Sequence, residues 1–189
     1  MSRIIAGVAG GSKLSNVPGD NTRPTTDRVK EALFSRLDAY DVLAGARVLD
    51  MFAGSGALGC EALSRGAVFV DFCDTYPKAQ TVIQKNIALM QKALHSERIA
   101  RVHHFSANAF LKNYAGDAWD LVFIDPPYAV ENAELEELLE LLSAHLADGA
   151  VVVVERSSRT AEPAWPAGVE KFAEKKYGET VLYYVEPAE

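Results

Sequence analysis

The chain alternates short, strongly apolar runs with longer stretches whose apolar residues recur every three or four positions, and this alternation is what most narrows its fold. Arg47-Val48-Leu49-Asp50, Val68 to Cys73, Ile99 to Phe105, Trp119 to Ile124 and Ala150 to Val154 read as strands. Ile83, Ile87, Met90 and Leu94 form one helical stripe, and Leu135, Leu138, Leu139, Leu142 and Leu146 form another that ends near Gly149. The run from Ala150 is almost wholly β-branched, as a strand buried on both faces should be. Val169 to Tyr177 and Thr180 to Val185, separated by Gly178-Glu179, then have the spacing of a hairpin. The pattern predicts an α/β fold: a mostly parallel, doubly wound sheet with one antiparallel strand near its edge.

At 189 residues, of which 49% are hydrophobic, the chain suits a single domain over 1–189. Residues 1–36 form its distinct end. Residues 3 to 6 read as a short strand, Gly7 to Pro24 as a hairpin and loop rich in glycine and proline, and the stretch after Thr25-Thr26-Asp27 as a helix with Val29, Leu33, Phe34 and Leu37 on its apolar face. This hairpin, loop and helix appendage carries six basic residues against three acidic ones, and the remainder thirteen against twenty-three, within a net charge of −7. An acidic body argues against indiscriminate coating of nucleic acid, and places phosphate contacts in the basic arm. Cys60 and Cys73 lie in apolar contexts without CxxC spacing and are expected to be reduced core residues. The start of the chain is too short in apolar residues for a signal-peptide core, and no run approaches a membrane span, so a cytoplasmic protein is expected.

Asp125-Pro126-Pro127-Tyr128 directly follows the apolar run Leu121-Val122-Phe123-Ile124. The carboxylate emerges at the carboxyl edge of the sheet, where open α/β sheets bind ligands. Two prolines without N–H groups keep the backbone from entering a helix and leave the Pro126 carbonyl able to accept a hydrogen bond. Carboxylate, carbonyl and the flat ring of Tyr128 together suit a planar group bearing an amine, such as a nucleobase.

A second candidate is the loop Phe52-Ala53-Gly54-Ser55-Gly56-Ala57-Leu58-Gly59, which formally matches G-x-G-x-x-G. In a dinucleotide site the first glycine follows the strand closely. Here Asp50 ends the strand and three residues intervene. A carboxylate aimed at the loop repels a pyrophosphate but suits a ligand with an ammonium group, which points to S-adenosylmethionine, with S-adenosylhomocysteine as its product. Asp74, 20 residues beyond Gly54 at the end of the next strand, has the place of a carboxylate that accepts ribose hydroxyls, and Asn108, beside Ala109, is placed to read an adenine edge or to cap a helix. The four histidines have no partners at ligand spacing, so no metal is expected, and no serine sits in a G-x-S-x-G frame.

Asp50-x-Phe52-x-Gly54-Ser55-Gly56, followed by Asp74, Asn108 and Asp125-Pro126-Pro127-Tyr128, resembles the motif series of class I S-adenosylmethionine-dependent methyltransferases acting on amino groups. Arg3-Ile4-Ile5-Ala6-Gly7, the block from Arg23-Pro24-Thr25-Thr26-Asp27-Arg28 through Leu33-Phe34, and Lys176-Tyr177-Gly178-Glu179-Thr180 narrow the resemblance to the RsmD family of bacterial 16S ribosomal RNA guanine-N2 methyltransferases. The resemblance spans nearly the whole chain. It implies a Rossmann-like, seven-stranded sheet, S-adenosylmethionine as methyl donor, a guanine of 16S ribosomal RNA on the small subunit as target, and a monomer. It assigns Asp125, Pro126 and Tyr128 to the target amine. It assigns Asp50, Phe52, Gly54, Gly56, Asp74, Asn108 and Ala109 to the donor, and Arg3, Lys13, Arg23 and Thr25 to RNA or to closing the donor pocket. The stretch Gly7-Val8-Ala9-Gly10-Gly11-Ser12 departs from the basic segment usual there, with only Lys13 nearby. Rival readings are an adenine-N6 methyltransferase on DNA or RNA, a dinucleotide-dependent oxidoreductase, and a noncatalytic RNA-binding or assembly factor.

Overall fold

The structure, a computed structural model, describes residues 2–19 and 26–189. Seven strands form one sheet in the order β3-β2-β1-β4-β5-β7-β6. These are β1 (Arg47–Met51), β2 (Phe69–Cys73), β3 (Ala100–His103), β4 (Trp119–Ile124), β5 (Leu146–Ser157), β6 (Val169–Tyr177) and β7 (Thr180–Pro187). The first five run parallel, and β7 is antiparallel to both β5 and β6. The parallel strands are joined through α2 (Ala57–Ser64), α3 (Pro77–Leu94), α4 (Ala107–Lys112) and α5 (Asn132–Ser143), and α1 (Asp27–Ala39) precedes the sheet. The expected α/β architecture, with its single antiparallel strand inside a terminal hairpin, is the one observed.

Strand alternation divides the core between the two faces. Val48, Val70, Leu121, Phe123, Val151 and Val153 face the layer holding Leu33, Phe34, Leu37, Ile83 and Ile87. Leu49, Met51, Val122, Ile124, Val152 and Val154 face Phe110, Leu135, Leu139 and Leu142. Helix α1 begins where a cap was expected: Thr26 accepts a hydrogen bond from the Val29 N–H at 3.3 Å, which satisfies a donor the first turn leaves open. Among the described residues, no helix is long and apolar enough to cross a membrane.

Several boundaries differ from the sequence expectation, most by a residue or a few: β1 runs one residue past Asp50 to Met51, β5 runs on to Ser157 and β7 to Pro187, and three differences are instructive. The segment at residues 3 to 6 forms only a bridge, Arg3 opposite Lys13, because Ile5 and Ala6 turn their N–H groups to the buried Glu61 carboxylate instead of to a neighbouring strand. Strand β3 stops at His103, short of Phe105. Leu146 keeps the helical spacing in sequence, yet α5 ends at Ser143 and Leu146 opens β5 opposite Trp119. The pairing shifts register before Leu121, and Gly149, at φ 74°, lies in that irregular stretch.

Candidate active site

The carboxyl ends of β1, β2, β4 and β5 open into a cleft of about 700 Å³, whose lining includes Asp50, Phe52, Gly54, Asp74, Asp125, Pro126, Tyr128 and Glu155. The loop leaving β1 turns through three left-handed residues, Phe52 (φ 57°), Gly54 (φ 58°) and Gly56 (φ 78°). At Phe52 that conformation is uncommon for a residue with a side chain, and it persists because neighbouring bonds hold it. Ala53 N–H donates to the Cys73 carbonyl at 3.0 Å, Gly56 N–H to the Ala53 carbonyl at 2.8 Å, and Gly54 N–H to Asp74 Oδ2 at 2.8 Å. Gly59 serves close packing: a Cβ there would lie 2.4 Å from a ring carbon of Phe72. The third glycine of the motif therefore sets α2 against β2, and its N–H reaches Asp50 Oδ2 at 2.9 Å.

Asp50 is 2% exposed, and burial is the main reason its pKa rises to about 8; Asp74 adds to the rise and the Gly59 N–H opposes it. A buried acid of this kind ionises fully when a cation is brought to it. Asp74 ties two loops together, with Oδ2 on Gly54 N–H and Oδ1 on Tyr76 N–H at 2.8 Å. Each of its oxygens can accept a second hydrogen bond, and Asp74 lines the cleft. Nothing lies within 4 Å of where a Gly54 side chain would begin, so the loop offers bare backbone to the cleft. A buried acid awaiting a cation, an open glycine backbone and a second carboxylate fit the ammonium, methionine chain and ribose of S-adenosylmethionine.

Asp125 is half-buried, with its carboxyl pushed well above the usual range, first by burial, then by Glu155 and Asp50. Pro126 is buried, whereas Tyr128 is 79% exposed at the cleft. The chain beyond is pinned: Val130 N–H donates to the Pro127 carbonyl at 3.0 Å, and Arg156 donates from Nη2 to the Val130 carbonyl at 3.0 Å and to Asn132 Oδ1 at 2.8 Å.

The remaining candidates are scattered. Asn108 and Ala109 lie in α4 outside the cleft lining, which holds Phe105, Ser106 and Ala107 instead. The cap of α4 is Ser106, whose Oγ accepts the Ala109 N–H at 3.3 Å. Gly56 is the left-handed N-cap of α2, also outside the lining. Arg3 and Lys13 face each other, exposed, on the N-terminal bridge and do not line the cleft. Arg23 and Thr25 lie outside the described residues. The sequence reading missed Glu155, Arg156, Lys30 and the exposed rim aromatics Tyr76 and Phe105, all of which line the cleft. Lys30 is 1% exposed, its pKa lowered by burial, with Nζ donating to the Arg3 carbonyl at 2.6 Å. The signal for Glu155 was present, since it ends an apolar run as Asp50 and Asp125 do.

The family model described as conserved hypothetical protein 95 matches residues 2–186. The chain belongs to this family. It is the RsmD family: ribosomal RNA small subunit methyltransferase D of Escherichia coli strain K12 is 38% identical over 179 residues, spanning 94% of this chain and 85% of that protein. The solved structure of yhhF from Escherichia coli superimposes with a TM-score of 0.82 at 37% identity and covers 98% of this chain and 97% of its own. The rRNA methyltransferase aviRa from Streptomyces viridochromogenes, at 21% identity and a TM-score of 0.71, covers 94% of this chain and 90% of its own and shares the fold. The expected RsmD family membership and the class I methyltransferase fold both hold.

Proposed function

We propose that the chain is an S-adenosylmethionine-dependent methyltransferase of small-subunit ribosomal RNA, acting on the exocyclic N2 amine of a guanine in 16S rRNA in the cytoplasm. The observation that carries the reading is the meeting, in one cleft, of the donor-suited Asp50, Gly54 and Asp74 with the amine-suited Asp125, Pro126 and Tyr128. RsmD family membership supports the RNA substrate, the tetrapeptide supports an exocyclic amine as acceptor, and the resemblance to guanine-N2 methyltransferases supports guanine as its base.

S-adenosylmethionine, when bound, supplies a methyl group activated for displacement. Asp50 would take its ammonium, Asp74 its ribose hydroxyls, and Ala107 with Phe105 the adenine side of the pocket. An exocyclic amine is a weak nucleophile because its lone pair is delocalised into the ring, so the protein's task is alignment. An extruded guanine would stack on Tyr128, and the Asp125 carboxyl and Pro126 carbonyl would accept its amino hydrogens, drawing the nitrogen towards tetrahedral geometry. After transfer the nitrogen must lose a proton. Burial and the neighbouring Glu155 raise the pKa of Asp125, which makes it a better acceptor of that proton than an ordinary carboxylate. The exposed Arg3 and Lys13 would contact phosphates away from the base.

The test is transfer of a labelled methyl group from S-adenosylmethionine to unmethylated small subunits, naked ribosomal RNA and DNA, followed by nucleoside identification. N2-methylguanosine from RNA is the expected product. Label in N6-methyladenine, or none despite donor binding, would overturn the proposal.

A further inference from the structure

The last paired residues of β4 and β5 are Ile124 and Val154, so Asp125 and Glu155 are the next pair across these parallel strands. Phe123 and Val153, two residues earlier on each strand, lie in the same core layer. With a side-chain period of two, Asp125 and Glu155 emerge above that layer on one face, on strands about 4.8 Å apart. Both line the cleft. Arg156 points to the opposite face, where it holds the loop after Tyr128. The target-amine end of the cleft thus presents a row of acceptors: the Asp125 carboxyl, the Pro126 carbonyl and the longer Glu155 side chain.

Purines differ in what they offer to such a row. Guanine carries two adjacent donors, the N2 amine and the N1–H. Adenine sets its amine beside an unprotonated N1, and 2-aminopurine has the guanine-like 2-amine but also an unprotonated N1. An ionised carboxylate only accepts hydrogen bonds, so it satisfies the N1–H of guanine and opposes the lone pair of the other two.

Building on the guanine-N2 reading of this cleft, we infer that Glu155 is the residue that selects guanine, accepting its N1–H while Asp125 and the Pro126 carbonyl hold the N2 amine. Glu155 already has a partner within the protein, and a carboxylate with about four lone-pair sites accommodates one more. A site built to bond a substrate N–H rejects the analogue lacking it by factors that reach about 10⁴; with partial solvent access, a discrimination of at least about 100-fold is expected here.

The experiment first maps the guanosine methylated by the wild-type protein in small subunits, then compares subunits reconstituted with guanine or 2-aminopurine at that position. Wild type should prefer guanine by at least about 100-fold in kcat/KM. Glu155→Gln, whose amide can donate to an unprotonated N1, should lower the guanine rate at least tenfold and shrink the preference to below about tenfold. Glu155→Asp, which keeps the carboxylate, should retain most of the preference. Fluorescence of 2-aminopurine RNA, read without donor, should report tighter binding by Glu155→Gln than by wild type. Unchanged S-adenosylmethionine binding in both variants certifies that they fold. A Glu155→Gln variant with the full wild-type preference would overturn the inference alone. A wild-type product other than N2-methylguanosine would overturn the reading beneath it.

Discussion

The molecule buries carboxylates in two kinds of setting and treats them oppositely. Under the N-terminal hairpin, Glu61 is 0% exposed and saturated: it accepts from Ile5 N–H, Ala6 N–H and Arg65 Nε at 2.9 to 3.2 Å. On the other face, Asp71 is 3% exposed and bonded to His103 Nε2 at 2.8 Å and Trp119 Nε1 at 2.9 Å. At the carboxyl edge, Asp50 has the Gly59 N–H as its donor among the described residues, and burial drives its pKa up. Asp125, beside Glu155 and Asp50, is driven up as well. The first pair is complete without a ligand and holds segments together. Among the described residues, no cation figures among the groups that set the pKa of Asp50 or Asp125, which is what a site looks like before a cationic donor and an amine complete it.

The sharpest way to break this comparison is at Asp125. Asp125→Ala should lower methyl transfer about 10³-fold, roughly 4 kcal/mol of transition-state stabilisation, with S-adenosylmethionine affinity within about threefold of wild type. Single-turnover transfer and calorimetric titration of the donor measure the two quantities. A loss of donor affinity as large as that of an Asp50 variant would erase the division of labour within the cleft.

The structural carboxylates should respond in stability instead. Glu61→Ala leaves two backbone N–H groups and Nε of Arg65, a side chain only 8% exposed, without their acceptor, although Arg65 Nη1 keeps Asp38 Oδ2 at 2.8 Å. The expected cost is about 3 kcal/mol of unfolding free energy, within the range for breaking a buried, hydrogen-bonded ion pair. Urea unfolding would show it. Specific activity per folded molecule should fall far less than in Asp125→Ala, and a loss of transfer exceeding the loss of folded protein would place Glu61 in the catalytic machinery.

These two kinds of carboxylate also differ in how well the sequence announces them. Asp50, Gly54, Asp74 and Asp125-Pro126-Pro127-Tyr128 are legible because each sits at a strand end and its meaning is local: a turn, a carboxylate, a free carbonyl. Asp71 is opaque because its partners lie 32 and 48 residues away, and nothing beside it in the chain signals a buried acid with two donors. Glu155 ends its apolar run visibly, but only the register of β4 and β5 places it beside Asp125. Asn108 misleads for the converse reason: its residue type fits both an adenine contact and a cap, while the cap two residues earlier, Ser106, turns the helix so that Ala107 lines the cleft. Leu146 continues the three-and-four spacing of α5 because a strand residue facing the same core needs the same apolarity.

A smaller effect separates Asp50 from Asp71. Asp50→Asn keeps an oxygen for the Gly59 N–H and removes an acid that burial disfavours in its charged form. It should weaken S-adenosylmethionine binding at least tenfold, about 1.4 kcal/mol, while leaving the unliganded protein as stable as wild type or more so. Asp71→Asn, by contrast, should destabilise by about 1 to 2 kcal/mol, because its amide can accept from only one of the two donors through oxygen. Thermal unfolding of both variants decides the matter. If both moved in the same direction, the contrast between waiting and completed carboxylates would fail.

The finest test is a count of protons. The folded chain binds the Asp50 proton more tightly than the unfolded chain, with a pKa raised from 3.8 to about 8. Through this group, stability therefore declines as pH rises from 3.8 and reaches its full loss above about 8. A bound ammonium favours the ionised form, so donor binding near pH 7 should release a proton, and affinity should climb with pH until Asp50 is ionised without help. Asp125, also raised, faces the same cleft and contributes to any total count. The difference between wild type and Asp50→Asn isolates the one group. Calorimetric titrations at pH 7 in two buffers of unlike ionisation enthalpy should show a release of the better part of one proton in wild type that the variant lacks. Equal release in both would mean that the donor's ammonium is held elsewhere in the cleft and that the high pKa of Asp50 serves packing alone.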